Sequence, residues 1–196
     1  MNATEIHALF EAHGAIQSGH FKLSSGRHSD AYVQCARVLE HPRIAASLAQ
    51  ELACRVGADA VDVVVSPALG GILIGYLVAY EVGCRFLFTE RVDGAMTLRR
   101  GQAIGQGERA LVVEDVITTG GSAAEVIRIV DDAGARVARV GSLIDRAERE
   151  PGFHLEALLK VSAKTWDPSE CPMCAAGEPL HTPGSRALSN VPRQGS

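Results

Sequence analysis

The sequence predicts an α/β fold: a central, mostly parallel sheet flanked by helices, with a small N-terminal hood or flap. Three observations carry this. Short apolar runs alternate with segments of helical period along most of the chain. Nearly every run ends in a polar or glycine-rich turn, the place where parallel sheets collect ligands. The 196 residues, 46% hydrophobic and 21% charged, suffice for one domain with a proper core. The expectation is a single domain over residues 1–196, with a helix and hood to about 40, a core over about 41–166 and a tail over about 167–196.

Residues 4–13 read as a helix with Ile6, Leu9 and Phe10 on one face, opened by an Asn2-x-x-Glu5 start. Residues 20–23 and 32–35 read as short strands around a polar turn at 24–30, a flap over a pocket. Pro42 opens a helix carrying Ile44, Leu48, Leu52 and Val56. A strand at 61–65, a helix at 71–81 and a strand at 85–89 follow, then a glycine-punctuated loop. The strand at 109–113 leads to a helix at 123–133, with Val126, Ile127, Ile129 and Val130 on one side. Residues 137–144 and 155–161 close the pattern as strands. From Pro183 onward the chain reads as a frayed tail.

The chemistry concentrates where the strand at 109–113 ends. Glu114 and Asp115 are followed by Val116, Ile117 and the loop Thr118-Thr119-Gly120-Gly121-Ser122. Glycines let the backbone approach an anion, and N–H groups at a helix start point at it with the positive end of the dipole. The hydroxyls add donors. Two carboxylates beside a phosphate look wrong, because like charges 4 Å apart repel by about 1 kcal/mol even in water. They make sense if they accept hydrogen bonds from vicinal sugar hydroxyls or face Mg²⁺. A sugar phosphate is the ligand class indicated. No Gly-Lys-Ser/Thr tripeptide is present, and Gly101, Gly105 and Gly107 lack the dinucleotide spacing.

In this stretch the chain resembles the type I phosphoribosyltransferases, whose signature is an apolar strand, two acidic residues and a Thr/Gly/Ser loop for phosphoribosyl pyrophosphate. The resemblance is closest to the orotate phosphoribosyltransferases. Residues 19–32, with Phe21-x-Leu23-x-Ser25-Gly26-Arg27, look like their hood; Ser66-Pro67-Ala68-Leu69-Gly70-Gly71 is similar to their pyrophosphate loop; Asp145-Arg146-Ala147-Glu148 resembles their Asp-Arg-x-Glu stretch. The match runs from about residue 14 to 148. It departs from the longer members in the region 89–100, which is shorter and lacks lysine and histidine. Arg91 is the counterpart of that loop's cationic start, and Arg99 and Arg100 fall where a returning strand belongs. The hood lysine of many members aligns with Ser24, with Lys22 two residues away as its substitute. The lysine of their pyrophosphate loop is Gly70 here.

The resemblance implies Mg²⁺-dependent transfer of a 5-phosphoribosyl group to orotate in a cytoplasmic homodimer. Residues 114–122, Ala68, Leu69, Gly70 and Arg91 would take phosphoribosyl pyrophosphate, with Asp115, Glu114 and Arg91 catalytic. Thr118, Arg146, Lys22 and Tyr32 would take orotate, Arg146 because a guanidinium pairs with planar acceptors. Mg²⁺ is expected through the substrate, with Asp115 the only candidate direct ligand. Two rivals stand beside this: a purine phosphoribosyltransferase, and a regulator that senses phosphoribosyl pyrophosphate without turnover.

A net charge of −4 argues against nucleic acid and anionic membranes as partners. Residues 63–80 carry no charge, but Pro67, Gly70, Gly71 and Gly75 interrupt them, so a strand, loop and buried helix are expected rather than a membrane span. No secretory signal is visible at the N-terminus. Five cysteines, an odd number, suit a reducing compartment. Cys171 and Cys174 have zinc-knuckle spacing, with His181 a candidate third ligand. The expectation is nevertheless a tail turn containing two thiols. The seven histidines form no pair at ligand spacing along the chain and are assigned nothing.

Overall fold

The structure, a computed structural model, describes residues 1–23, 25–57 and 61–183. Ser24 and the tail from residue 184, both of which carried sequence expectations, lie outside the described residues. The chain divides into two compact units: one of residues 1–15 and 34–162, the other of residues 16–33 and 163–196.

The larger unit holds a six-stranded sheet. Its elements are α1 (Ala3–Ala12), α2 (Ala36–Leu39), α3 (Pro42–Val56), β3 (Val63–Pro67), α4 (Gly70–Val82), β4 (Arg85–Val92), β5 (Ala95–Leu98), β6 (Arg109–Ile117), α5 (Gly121–Asp132), β7 (Arg136–Asp145) and β8 (Leu155–Lys160). The strand order is β5-β4-β3-β6-β7-β8, and every pair is parallel except β4 with β5. Val63, Val65, Ala110, Val112 and Val140 pack with Ala123, Val126 and Val130 of α5. Val64, Leu111 and Val113, which alternate with them, are fully buried as well. Burial on both faces is what the unbroken apolar runs of β3 and β6 demand. α1 starts as expected: Asn2 Oδ1 accepts from the Glu5 N–H at 2.9 Å, and Glu5 Oε2 accepts from the Asn2 N–H at 2.9 Å.

The region after residue 89 differs from the expected loop. β4 continues to Val92 and turns through Asp93 and Gly94 into β5. Both turn residues have positive φ, 49° and 87°, as a two-residue hairpin connection requires, and Asp-Gly is the dipeptide that supplies it cheaply. The returning strand is therefore 95–98, and Arg99 and Arg100 follow it. Among the described residues no helix is long and apolar enough to cross a membrane.

The smaller unit is built on β1 (Ile16–Lys22), β2 (His28–Val33) and β9 (Thr165–Trp166), in the order β1-β2-β9, all antiparallel. The turn between β1 and β2 is shorter than expected, because His28, Ser29 and Asp30 already belong to a strand. A helical turn, α6 (Pro172–Ala175), follows in the C-terminal segment.

Candidate active site

Parallel order and register place three loops side by side. β3, β6 and β7 are neighbours, so the segments after Pro67, Ile117 and Asp145 leave the sheet at one edge. Ile117 pairs with Asp145, and the Arg146 N–H donates to the Ile117 carbonyl at 2.8 Å. Asp145-Arg146 is thereby stitched to the start of the Thr118–Ser122 loop. The first loop is tied on its other side: the Ala68 N–H donates to the Thr89 carbonyl of β4 at 2.8 Å. The peptide between Ala68 and Leu69 is cis.

The acidic pair lies inside β6 rather than beyond it, since the strand runs on to Ile117. Asp115 Oδ1 accepts from the Val116 N–H at 3.0 Å. A β-carbon placed on Gly70 would stand 2.5 Å from Asp115 Oδ1, so only glycine lets the 66–71 loop lie against this carboxylate. Cys35 Sγ donates to the Asp115 carbonyl at 3.7 Å. Neither Glu114 nor Asp115 has an ion-pair partner among the described residues. Burial, followed by the Asp115 charge, pushes Glu114 up to about 8. Asp115 is raised by burial, against the pull of backbone N–H groups.

The Thr118–Ser122 loop ends in Gly120, whose φ of +75° starts α5. A side chain there would also press on Phe153 and Pro151. Gly120 has no side chain with which to cap α5, and Thr119 Oγ1 accepts from the Gly121 N–H at 3.4 Å; Thr118, Thr119 and Gly121 are exposed, so this helix start is open to an anion.

The remaining candidates separate. Arg91 lies in β4, and its Nη2 donates to Glu125 Oε1 of α5 at 2.9 Å. Glu125 Oε2 also accepts from the Met96 N–H at 3.2 Å, so one carboxylate holds both β5 and the arginine. Glu90 takes Arg99 and Arg100, at 3.8 and 2.8 Å. Lys22 and Tyr32 belong to the smaller unit: Lys22 is exposed at the end of β1, and the Tyr32 ring lies 5.7 Å from that of Phe21. Sequence reasoning missed Glu125 because its role depends on β4 and α5 meeting; the Asp93-Gly94 turn was the available signal for the hairpin.

Comparison with known proteins agrees with this geometry. The phosphoribosyl transferase domain family matches residues 35–152. The orotate phosphoribosyltransferase of Desulforamulus reducens is 51% identical over 191 residues, covering 96% of this chain and 100% of that protein. That of Pelotomaculum thermopropionicum is 50% identical over 190 residues, covering 96% and 100%. The crystal structure of orotate phosphoribosyltransferase from Aeropyrum pernix superposes with a TM-score of 0.66 at 25% identity, covering 80% of this chain and 93% of that one. An adenine phosphoribosyltransferase from Thermoanaerobacter pseudethanolicus shares the fold, with a TM-score of 0.60 at 19% identity, covering 67% and 88%. With the family model matching most of the chain and curated relatives of about half identity matched over their whole length, the chain belongs to the phosphoribosyltransferase family and, within it, to the orotate phosphoribosyltransferases.

Proposed function

We propose that this chain transfers the 5-phosphoribosyl group of phosphoribosyl pyrophosphate to N1 of orotate, giving orotidine 5′-monophosphate and pyrophosphate. The observation that carries the residue assignment is the unpaired acidic couple Glu114–Asp115, running directly into the Thr118–Ser122 cup and touched by Gly70. Its relatives of about half identity are orotate phosphoribosyltransferases by name, which supports orotate as the acceptor.

The 5′-phosphate sits on the N–H groups and hydroxyls of Thr118, Thr119, Gly120, Gly121 and Ser122, with Val116 and Ile117 leading the backbone into the cup. Glu114 and Asp115 accept from the ribose hydroxyls and place negative charge where the ring becomes positive. The anomeric carbon–oxygen bond breaks as the carbon–nitrogen bond forms, through an oxocarbenium-like state of the kind met in glycoside hydrolysis. Ala68, Leu69 and Gly70 line the departing pyrophosphate. Arg91 serves it after exchanging Glu125 for the anion. Arg146, beside Thr118, pairs with the orotate carboxylate; Lys22 and Tyr32 of the hood are the further candidates for orotate. The negative charge of orotate resides on its carboxylate, so the N1 proton is still lost as the carbon–nitrogen bond forms, and it passes to the departing pyrophosphate or to solvent.

Half-buried carboxylates without a cationic partner are oxygen donors of the type that a hard divalent ion prefers, so these residues fit Mg²⁺. Glu114 and Asp115 would hold it through the ribose hydroxyls, Asp115 being the candidate for direct contact. When bound, Mg²⁺ supplies positive charge to the pyrophosphate.

A cytoplasmic homodimer belongs to the same reading. Leu69, Leu73, Tyr76 and Tyr80 follow helical spacing along α4 and are 85%, 55%, 61% and 76% exposed, a face suited to a second copy. The deciding experiment is a substrate panel with phosphoribosyl pyrophosphate and Mg²⁺, reading pyrophosphate release. Orotate alone should support turnover; release with adenine or hypoxanthine and not with orotate would overturn the assignment.

A further inference from the structure

The smaller unit places four metal-ligating side chains around one point. His20 and His28 come from β1 and β2, Cys171 and Cys174 from the start of α6, and their ligand atoms all lie within 4.8 Å of one another. His20 Nε2 is 3.0 Å from His28 Nδ1, 3.4 Å from Cys171 Sγ and 3.6 Å from Cys174 Sγ; Cys174 Sγ is 3.2 Å from His28 Nδ1. A tetrahedral zinc site with metal–nitrogen distances of about 2.0–2.1 Å and metal–sulfur distances of about 2.3 Å needs edges of roughly 3.3 to 3.8 Å. The four separations fall close to that range.

We propose that His20, His28, Cys171 and Cys174 bind one zinc ion, forming a closed structural site that fastens the C-terminal segment to the β1–β2 hairpin. The reading does not depend on the transferase assignment.

Hydrogen bonding alone explains the cluster poorly. His20 Nδ1 lies 3.0 Å from the Glu178 carbonyl, which can only accept. Nδ1 therefore carries the ring proton, and Nε2 turns a single lone pair toward three groups. One donor can use that lone pair; a cation at the centre can use it together with both sulfurs and the second imidazole. A metal-bound histidine that donates its other nitrogen to a carbonyl is also the usual outer arrangement of zinc sites. Four protein ligands leave no open position, which suits structure rather than catalysis, and two thiolates with two imidazoles favour zinc over magnesium or calcium.

The fold explains why the ligands converge. One extra residue in β1, between Ser18 and Phe21, breaks the strand alternation, so His20 and Phe21 are both buried. His28 pairs with Lys22 across the hairpin. The C-terminal segment is held parallel to β1: the Lys22 N–H donates to the His181 carbonyl and the His181 N–H to the His20 carbonyl, both at 2.8 Å. His181 thus contributes backbone, and its ring lies against Phe21, 6.0 Å away, rather than in the cluster. His20 and His28 are only 2% and 3% exposed, and among the described residues of this unit the apolar side chains buried with them are few: Phe21, Ala31 and Cys171. So small a core is the situation in which domains recruit a metal.

The test uses the full chain, reduced, loaded with zinc and desalted. Elemental analysis should find one zinc per chain, and the cobalt-substituted protein should show the intense ligand-field bands and thiolate charge transfer of a tetrahedral two-sulfur site. Removing the ion with a chelator should expose two further thiols to titration. Cys174→Ser and His28→Ala should each reduce zinc from one equivalent to background, whereas His28→Cys, which still offers a ligand, should retain it. A wild-type chain that holds no zinc overturns the proposal without recourse to any variant. So does full retention by both ligand-deleting variants, or a Cys171–Cys174 disulfide in the freshly isolated, unreduced chain.

Discussion

Gly70 lies so close to Asp115 that a methyl group on its α-carbon would stand 2.5 Å from the carboxylate oxygen. The pyrophosphate loop and the acidic pair therefore form one packed unit, and disturbing either should disturb the other. Gly70→Ala should lower kcat/KM for phosphoribosyl pyrophosphate by about 10²-fold, as small misplacements in a positioned site do. Asp115→Asn, which keeps the shape and removes the charge, should lower kcat by roughly 10²–10³-fold, the range for losing one electrostatic stabiliser. Steady-state kinetics alongside denaturant titration checks both; normal kinetics in a folded Asp115→Asn protein would remove that residue from the mechanism.

The acidic pair also sets a pH dependence of stability. Glu114 is pushed up to about 8, against about 4.3 for an exposed glutamate. Between those values the folded chain keeps a proton that the unfolded chain has lost. The stability contributed by this group is thus complete below about pH 4.3 and declines as pH rises through about 8. Glu114→Gln abolishes that decline, so its stability advantage over the wild type should grow from pH 5 to pH 8 and then level off. Denaturation midpoints across this interval measure it; curves that stay parallel would refute the assignment.

Arg91 is tied to Glu125, at 2.9 Å, with the arginine side chain 47% exposed. An exposed pair of this kind is worth about 0.2–1 kcal/mol. Glu125→Gln should therefore lower KM for phosphoribosyl pyrophosphate by a factor of about 1.5–5, by freeing the arginine, while Arg91→Ala raises it at least tenfold. If Arg91→Ala has no effect on this KM, the arginine serves only to hold Glu125.

Arg146 offers a separation of substrates. Its backbone is fixed by the Ile117 carbonyl whatever its side chain, so Arg146→Ala should leave the cup intact. KM for orotate should rise about 10–100-fold, matching roughly 1.5–3 kcal/mol for hydrogen bonds to a charged group. Calorimetry with phosphoribosyl pyrophosphate should be unchanged, and a parallel loss of both ligands would argue against a role confined to orotate.

The exposed face of α4 tests the assembly. Tyr76→Glu with Tyr80→Glu places charge on the apolar row and should convert a dimer to a monomer in sedimentation velocity. A wild-type chain that sediments as a monomer would itself dispose of the homodimer.

Contiguous features were legible without coordinates. The strand, acidic pair, cup and helix over residues 109–132 are read from one stretch, because backbone geometry and local chemistry decide them, and the neighbouring loops follow from the parallel order. Boundaries were less legible: β6 absorbs the acidic pair, and the 89–100 loop is a hairpin turned by Asp93-Gly94. Tertiary structure alone decided which distant side chains meet. Glu125 reaches Arg91 because α5 packs beside β4 and β5, and histidines eight residues apart join cysteines about 150 positions away because a bulged hairpin and a parallel C-terminal segment carry them there. Sequence spacing governs neighbours within an element, whereas a chelate or an ion pair between elements is set by how those elements pair and pack.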